Sequence, residues 1–353
     1  MKVLIVGDHP PPAGGISVHV EALGALLRSD GFRVETLDVT RPKRSPGAIP
    51  DVVAARNAAH LAAVVLDASA RGAIVHVHVC GHHRKSWFLA GAVTALSAPW
   101  APPPLVTVHS GLAPAYLARP AARWLAGLAC RPAGRVICAN AEIAASLRLA
   151  GVRPGRLEVL PAFLSSSLRT GRLPSEFRAF QETAERLVIA CLGIGPEYGA
   201  PLLIDAFEAA LRARPGLRLV TVGPGGGEAF RRAAGRRGLA ESVLALGELP
   251  HPATLAVMDA ADLFVRPTLA DGDANSVREA LAFGLPVVAT SVAPRPDGVR
   301  AVEPTAAALA TALTEAPPRT ARRAPRAADA RLLEIYRALA SQPVRLAATQ
   351  RAS

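Results

Sequence analysis

Aromatic residues are scarce in this chain of 353 residues, at 4% of positions. Proteins that hold single-stranded nucleic acid combine a basic groove with aromatic side chains on which the bases stack. Basic residues are plentiful here, but no basic stripe is interleaved with aromatics. We therefore expect no nucleic-acid partner.

Cysteine is also rare, with Cys80, Cys130, Cys138 and Cys191 and no CxxC spacing among them. The apolar run at the start, Met1–Gly7, is too short for a signal peptide and is typical of a first β-strand. Without an export signal, a disulfide framework is not expected, and a reducing cytoplasm is the predicted compartment.

Long apolar runs without helix breakers are missing as well. The uncharged stretch from Ser86 to Ser110 is long enough to span a bilayer, but it contains Pro99 and Pro102–Pro104. Prolines inside a helix remove hydrogen bonds and clash with the preceding turn. The stretch therefore predicts a buried helix, a proline turn and a strand at Leu105–Val108 rather than a membrane span.

Acidic residues are too few to balance the basic ones, so the formal charge is +12. Residues 1–170 hold 18 Lys and Arg against 9 Asp and Glu, a net charge of +9. A positive field of this kind suits anionic lipid headgroups or a pyrophosphate-bearing acceptor. Ordinary surface solubility explains the same charge, and the sequence leaves these alternatives open.

Short strand-like runs alternate with helix-like segments in two series, which predicts parallel sheets covered on both faces. Half of the residues are apolar, enough for two buried cores. A polar stretch at about 162–186 separates the series. We predict two Rossmann-like domains, 1–165 and 187–315, facing each other across a cleft, with a helix at about 327–341 that is able to pack back on the first. Ligands in such sheets bind beyond the carboxyl ends of the strands.

The segment Asp271–Glu279 carries the strongest functional signal. It follows a strand, passes through a polar loop and enters a helix, which Gly284 is expected to end. Ser276 and Glu279 have the spacing of a capping box. The start of such a helix offers backbone N–H groups to an anion such as a diphosphate. The two carboxylates, eight residues apart, suit the hydroxyl groups of a sugar.

Simpler interpretations exist for the same residues. Glu279 alone is explained as a helix-capping acid, and Asp271 and Asp273 as a solvated loop. The Asp271–Gly–Asp273 triplet also resembles a metal-binding DxD motif. His109 is a candidate for function because it follows a predicted strand, where the cleft is expected.

Histidines cluster near the third predicted strand, with Cys80 among them. His76, His78 and Cys80 alternate along one strand face, and metal ligation is one interpretation. No second ligand group follows at a recognised spacing, so a strand end that lines the cleft is favoured.

Several stretches resemble the retaining family-4 glycosyltransferases of the GT-B fold. Asp271–Glu279 is similar to that family's Glu-x7-Glu signature, and EALAFGLPVVAT after it is similar to the usual continuation. GDHPPPAGGISVHV resembles the family's N-terminal Gly-Gly loop, and LVTVHSG one of its central strands. The resemblance covers most of residues 1–300.

The resemblance implies a role for individual residues. Glu279 would hold the nucleotide ribose, Asp271 would contact the donor sugar, and His109 would lie near the transferred sugar. It also implies Gly14, Gly15, Ser276 and Val277 as donor-binding positions, and we add Asn275 beside them and Arg266 as further donor-binding candidates.

The resemblance also implies the chemistry. A sugar would pass from a nucleotide-sugar donor to a hydroxyl group of a glycan or lipid-linked acceptor, with retention and without a protein nucleophile. No metal and no other cofactor are expected. The implied location is cytoplasmic, peripheral to the inner face of a membrane, in glycan or glycolipid biosynthesis.

The sequence departs from the family where two cations usually contact the donor diphosphate. Ile194 and Tyr198 stand in those places, and Arg266 and Arg295 are the candidate substitutes. The alternative is a non-catalytic GT-B relative that acts as a binding or scaffolding subunit. A nucleotide-sugar epimerase of similar architecture is a third, weaker interpretation.

Overall fold

The computed structural model describes residues 1–10, 14–40, 49–100, 102–322 and 327–341. The chain forms two compact units. Unit 1 contains the residues up to Ser167 together with the C-terminal helix, and unit 2 begins at Leu168.

Unit 1 contains a parallel sheet of seven strands in the order β3-β2-β1-β4-β5-β6-β7. Its strands are β1 (Lys2–Gly7), β2 (Arg33–Asp38), β3 (Val52–Ala54), β4 (Ile74–Val79), β5 (Leu105–Val108), β6 (Arg135–Cys138) and β7 (Leu157–Val159). Its helices are α1 (Gly15–Ser29), α2 (Ala58–Ala70), α3 (Arg84–Ser97), α4 (Ala113–Leu117), α5 (Pro120–Cys130), α6 (Ala141–Leu149) and, from the C-terminal part, α13 (Ala327–Ala340).

Strand β4 shows why this sheet is covered on both faces. All six of its residues are buried. Val75 and Val77 pack into the core on one face, whereas Ile74 packs on the other beside Tyr336 of α13. A parallel strand between two helical layers is expected to be apolar throughout, so His76 and His78 stand out in this position.

Unit 2 repeats the arrangement with a parallel sheet of six strands in the order β10-β9-β8-β11-β12-β13. Its strands are β8 (Arg186–Cys191), β9 (Leu217–Val222), β10 (Val243–Gly247), β11 (Leu263–Arg266), β12 (Val287–Thr290) and β13 (Val299–Val302). Its helices are α7 (Ser175–Gln181), α8 (Ala200–Ala213), α9 (Glu228–Gly235), α10 (His251–Asp259), α11 (Asn275–Ala282) and α12 (Ala306–Glu315).

In both sheets the strand order reverses beside the first strand of the unit, between β1 and β4 and between β8 and β11. This is the order of the doubly wound nucleotide-binding fold, in which ligands bind at the reversal, beyond the carboxyl ends of the strands. The two reversal points therefore define where the site residues are to be sought.

The predicted elements are confirmed wherever burial is strong, as at Ile74–Val79 and Leu217–Val222. Two short edge strands, β3 and β13, were not predicted because their residues are half-buried or exposed and give little apolar signal. Among the described residues, every helix is too short or too polar to cross a bilayer.

Candidate functional site

A buried group of ionised side chains lies at the strand reversal of unit 2. Arg266 is the last residue of β11 and Asp271 lies in the loop before α11. Arg266 donates from Nε and Nη2 to the two oxygens of Asp271, at 3.0 and 2.9 Å. Arg295 donates from Nη1 to Asp271 Oδ2 at 2.7 Å. One carboxylate is therefore shared by two guanidinium groups.

Burial and charge act in opposite directions on Asp271. Burial raises the pKa of its carboxyl group, but Arg266 and Arg295 outweigh that effect and lower the pKa to about 2. The carboxylate is therefore ionised at neutral pH. With two cations and one anion, the trio of Arg266, Asp271 and Arg295 carries one surplus positive charge.

The trio also joins the ends of neighbouring strands. Arg266 Nη1 donates to the carbonyl of Cys191, at the end of β8, at 3.3 Å. Arg295 Nε donates to the carbonyl of Thr290, at the end of β12, at 3.0 Å. Both guanidinium groups are thus held in fixed positions at the edge of the sheet where a ligand is expected.

The start of helix α11 differs from the sequence-based prediction. The helix begins at Asn275 and Ala274 is its N-cap residue, so the predicted capping box of Ser276 and Glu279 is wrong. The preceding loop is held instead by Arg278, which donates from Nε to Asp273 Oδ1 at 2.6 Å. Ser276 and Val277 lie in the first turn of α11, where the resemblance places the donor diphosphate.

Glu279 is buried and faces a partner that the sequence did not suggest. His251 Nε2, at the start of α10, lies 2.9 Å from Glu279 Oε1. Glu279 is 4% exposed, and an unpaired buried carboxylate is costly. The His251 contact thus gives Glu279 a hydrogen-bond partner and fixes its orientation.

The two positions that depart from the family lie in the turn after β8. Ile194 is 79% exposed. The guanidinium carbon of Arg266 lies 5.3 Å from the centre of the Tyr198 ring, a cation–π contact. A cation therefore lies against the residue that stands where the family usually has a lysine.

The remaining predicted residues lie in unit 1. Gly14 is the N-cap residue of α1 and Gly15 begins the helix. Among the described residues, no atom lies within 4 Å of a β-carbon built on Gly15, so packing does not require a glycine there. His109 directly follows β5, and its N–H donates to the carbonyl of Val79 at 3.0 Å.

Four histidines gather at the strand reversal of unit 1: His19, His76, His78 and His109. The rings of His78 and His109 lie 5.3 Å apart, and His19 lies 5.2 and 4.9 Å from them. Burial lowers the pKa of His19 to about 4 and holds those of His78 and His109 well below the usual range. These rings are therefore neutral at physiological pH.

His76 is explained by its own hydrogen bonds. Its Nδ1 lies 2.5 Å from Tyr336 Oη on α13, and its Nε2 lies 2.7 Å from Thr107 Oγ1 on β5. It links the strand to the C-terminal helix. The sequence analysis missed His19 and His251, since their partners lie far away in the chain. A polar ring on the apolar face of α1 was the one local signal for His19.

Two family models match the chain, one for each unit. The model described as Glycosyltransferase Family 4 matches residues 13–166, and the model described as Glycosyl transferases group 1 matches residues 186–316. The D-inositol 3-phosphate glycosyltransferase of Segniliparus rotundus is 38% identical over 119 residues. That match covers 32% of this chain and 26% of the relative, so it spans about a quarter of the relative's length.

Solved structures agree with the fold. Anabaena HepE, in complex with UDP and glucose, has a TM-score of 0.66 at 18% identity over 89% of each chain. Sucrose-phosphate synthase from Thermosynechococcus elongatus has a TM-score of 0.65 at 20% identity, over 89% of this chain and 88% of its own. These structures confirm the predicted GT-B fold, and both family models describe glycosyltransferases. The chain belongs to the family-4-like glycosyltransferases of the GT-B fold.

Proposed function

We propose that this protein transfers a sugar, with retention and without a metal in the donor chemistry, from a nucleotide sugar to a hydroxyl group of a glycan or lipid-linked acceptor. The observation that carries the proposal is the trio of Arg266, Asp271 and Arg295 beside the start of α11. This arrangement provides fixed positive charge and helix N–H groups where a leaving diphosphate would gain charge.

The carboxylates fit a donor with hydroxyl groups. Glu279 is oriented by His251 and is proposed to accept a hydrogen bond from the nucleotide ribose. Asp271 is ionised, and its Oδ1, which accepts one hydrogen bond from Arg266, is proposed to contact the donor sugar. His109 of unit 1 is proposed to lie near the transferred sugar.

HepE was solved in complex with UDP and glucose, which suggests the donor class to test first. We propose a uridine diphosphate sugar as the donor class. The matched inositol-phosphate glycosyltransferase suggests an acceptor that carries phosphate. The net charge of +9 on residues 1–170 is compatible with such an acceptor.

The donor proposal is tested by a thermal-shift screen with nucleotide sugars and nucleoside diphosphates, followed by an assay of donor hydrolysis. A ligand at a hundred times its Kd stabilises the fold by about 2.7 kcal/mol, which raises Tm by several degrees. At least one uridine diphosphate sugar is expected to produce this shift and slow hydrolysis. A shift without hydrolysis or transfer to any acceptor would favour the non-catalytic binding subunit.

Glu279→Gln provides the matched variant, because it keeps the side-chain volume and removes the charge. We expect a lower affinity for nucleotides that contain ribose and little change in Tm without ligand. If no nucleotide shifts the Tm of the wild type, or if the variant binds donor equally well, the proposed site is wrong.

We further propose that unit 1 docks at the cytoplasmic face of an anionic membrane. Two neighbouring helices expose apolar side chains, with Trp124 69% exposed and Leu128 49% exposed on α5, and Phe88 on α3. Arg84 lies 5.0 Å from the Phe88 ring centre. Exposed apolar side chains with an arginine beside one of the rings suit an interface between headgroups and acyl chains.

Vesicle sedimentation tests this docking. The wild type is expected to bind vesicles with phosphatidylglycerol, to release them at high salt, and to ignore purely zwitterionic vesicles. Trp124→Ala should weaken binding, whereas Leu269→Ala, an exposed apolar residue of unit 2, should not. Absent or salt-insensitive binding would contradict the proposal.

A further inference from the structure

We propose that His19, His78 and His109 form a binding site for one divalent transition-metal ion of the zinc type within unit 1. One ring nitrogen from each residue lies within 4.8 Å of the others. The proposal does not rest on the sugar-transfer function. The donor chemistry proposed above uses no metal. Because His109 is also proposed to lie near the transferred sugar, its role as a ligand is tested by metal binding and not by activity.

The three rings come from rigid elements that meet at the strand reversal. His78 lies on β4, His109 directly follows the adjacent β5, and His19 lies on α1. His19 and His78 are 4% and 2% exposed. Metal sites need ligands whose rotamers are fixed by packing, and buried side chains on helices and strands meet that requirement.

The hydrogen bond of His19 fixes the tautomer that a metal needs. Its Nδ1 lies 2.5 Å from the carbonyl oxygen of Ala162, which can only accept, so Nδ1 carries the proton. The lone pair is then on Nε2. A backbone carbonyl that holds the second nitrogen is a common partner of metal-ligating histidines.

The pair of His78 and His109 has the spacing of two ligands. His78 Nδ1 and His109 Nε2 are 3.1 Å apart. Tetrahedral zinc with bonds of about 2.0–2.1 Å separates its ligand nitrogens by roughly 3.3 Å. The outer nitrogens, His78 Nε2 and His109 Nδ1, are buried and have no hydrogen-bond partner among the described residues. The two inner nitrogens share one ring-to-ring hydrogen bond, which a bound ion would replace without moving the rings far.

Charge and access also suit the ion. Because burial disfavours the imidazolium forms, all three histidines are available as neutral ligands. His109 is less buried than the other two, so we expect the fourth position to be reached from its side. Three nitrogen ligands with one open position leave room for water or an anionic oxygen.

A second group, Cys80, His82 and His83, is a poorer candidate. His83 Nδ1 accepts from the N–H of Ser86 at 3.1 Å and caps helix α3. In the neutral ring its Nε2 then carries the proton and lies 3.3 Å from Cys80 Sγ. A metal bound to His83 Nε2 would displace that proton to Nδ1, which could then no longer accept from Ser86, so the helix cap would break. His82→Ala, which removes another member of this second group, therefore serves as the control.

The test uses the full chain without a polyhistidine tag, stripped with a chelator and titrated with Zn²⁺ and separately with Co²⁺. We expect about one equivalent of tightly bound metal and intense visible Co²⁺ bands typical of four-coordination. His109→Ala and His78→Gln should weaken binding by at least about tenfold, whereas His82→Ala should bind as the wild type does.

The Co²⁺ spectrum of the wild type keeps the test decisive if a variant fails to fold. A weak octahedral spectrum, no bound metal, or wild-type affinity in folded His109→Ala would overturn the proposal. Loss of the metal in His82→Ala would assign the ion to the other group and would overturn it equally.

Discussion

Asp271 neutralises one of two buried guanidinium groups, so its removal exposes their repulsion. Arg266 and Arg295 both donate to it, and its side chain is 7% exposed. Breaking a buried pair by removing one partner costs about 3–5 kcal/mol, since a charge is left uncompensated. We expect Asp271→Asn to lower the free energy of urea unfolding by this amount. Asp205→Asn, in a half-exposed pair with Arg237, should have a much smaller effect.

The pH dependence of this pair follows from the lowered pKa of Asp271. Its pKa is about 2 in the folded chain and 3.8 ordinarily, so its stabilisation is complete above pH 4 and is lost as the pH falls toward 2. The difference in unfolding free energy between wild type and Asp271→Asn is expected to be constant from pH 7 to 5 and to shrink below pH 4. A difference that stays unchanged at pH 3 would contradict the assigned charge.

Arg266 is expected to act on the donor as well as on Asp271. A hydrogen bond to a charged group is worth roughly 1.5–3 kcal/mol, so Arg266→Ala should weaken donor binding about tenfold to a hundredfold. Calorimetric titration measures the loss, and Arg237→Ala on the surface of the same unit is the control. Unchanged donor affinity would remove Arg266 from the site.

The spacing of residues in the sequence identified the segment Asp271–Glu279 but not the side chains that contact it. Asp271, Ser276 and Glu279 were found because strand, loop and helix signals coincide within twenty residues. The contact of Glu279 with His251 spans 28 positions and depends on how α10 packs beside α11, which no local pattern encodes. The capping box failed because Arg278 holds Asp273 and the helix starts one residue before Ser276.

At the scale of elements, Gly284 ends helix α11 and packs tightly against the chain at Thr320. Gly284 has a φ of +76°, and a β-carbon there would lie 2.3 Å from the carbonyl oxygen of Thr320. Thr320 in turn donates from its N–H to the carbonyl of Gly284 at 2.8 Å. The glycine therefore ends the helix and allows the segment after α12 to pack against it.

Gly284→Ala is expected to destabilise unit 2 by about 1–3 kcal/mol or more, because strain and a backbone clash combine. Thermal unfolding followed by circular dichroism measures this loss. Gly235→Ala, at the exposed end of α9 with no described atom within 4 Å, is the control and should be neutral or stabilising by up to about 1 kcal/mol. Equal effects of the two substitutions would refute this role of Gly284.

Across the whole molecule, the burial of a strand determines whether the sequence pattern predicted it. Strands that are buried along most of their length, such as β4 and β9, are rich in β-branched and apolar residues and were predicted with their correct ends. Two of the four edge strands, β3 and β13, were missed, because their pairing depends on tertiary contacts. The strand order follows from the βαβ connections rather than from any one segment, so the sequence pattern predicted the strands without predicting their order.

Helix α13 ties the end of the chain to unit 1. Asp329 Oδ1 accepts from the N–H of Ser165 at 3.0 Å, and Arg331 Nε donates to Glu158 at 2.9 Å. Leu332 and Tyr336 are 2% and 0% exposed and pack against the core of β1 and β4. Removing the helix would expose that apolar surface, so stability should fall in unit 1 alone.

Deletion of residues 323–353 tests this dependence by hydrogen exchange. Exchange is expected to accelerate in β1 and β4, which lose their cover, and to remain unchanged in β8 and β11 of unit 2. Deletion of residues 342–353 keeps α13 and is the control. Faster exchange in both units would show that their stabilities are coupled, whereas no change in β1 would show that α13 contributes little. Because the Tyr336 hydroxyl group contacts His76 on β4, exchange should accelerate more in β4 than in β2.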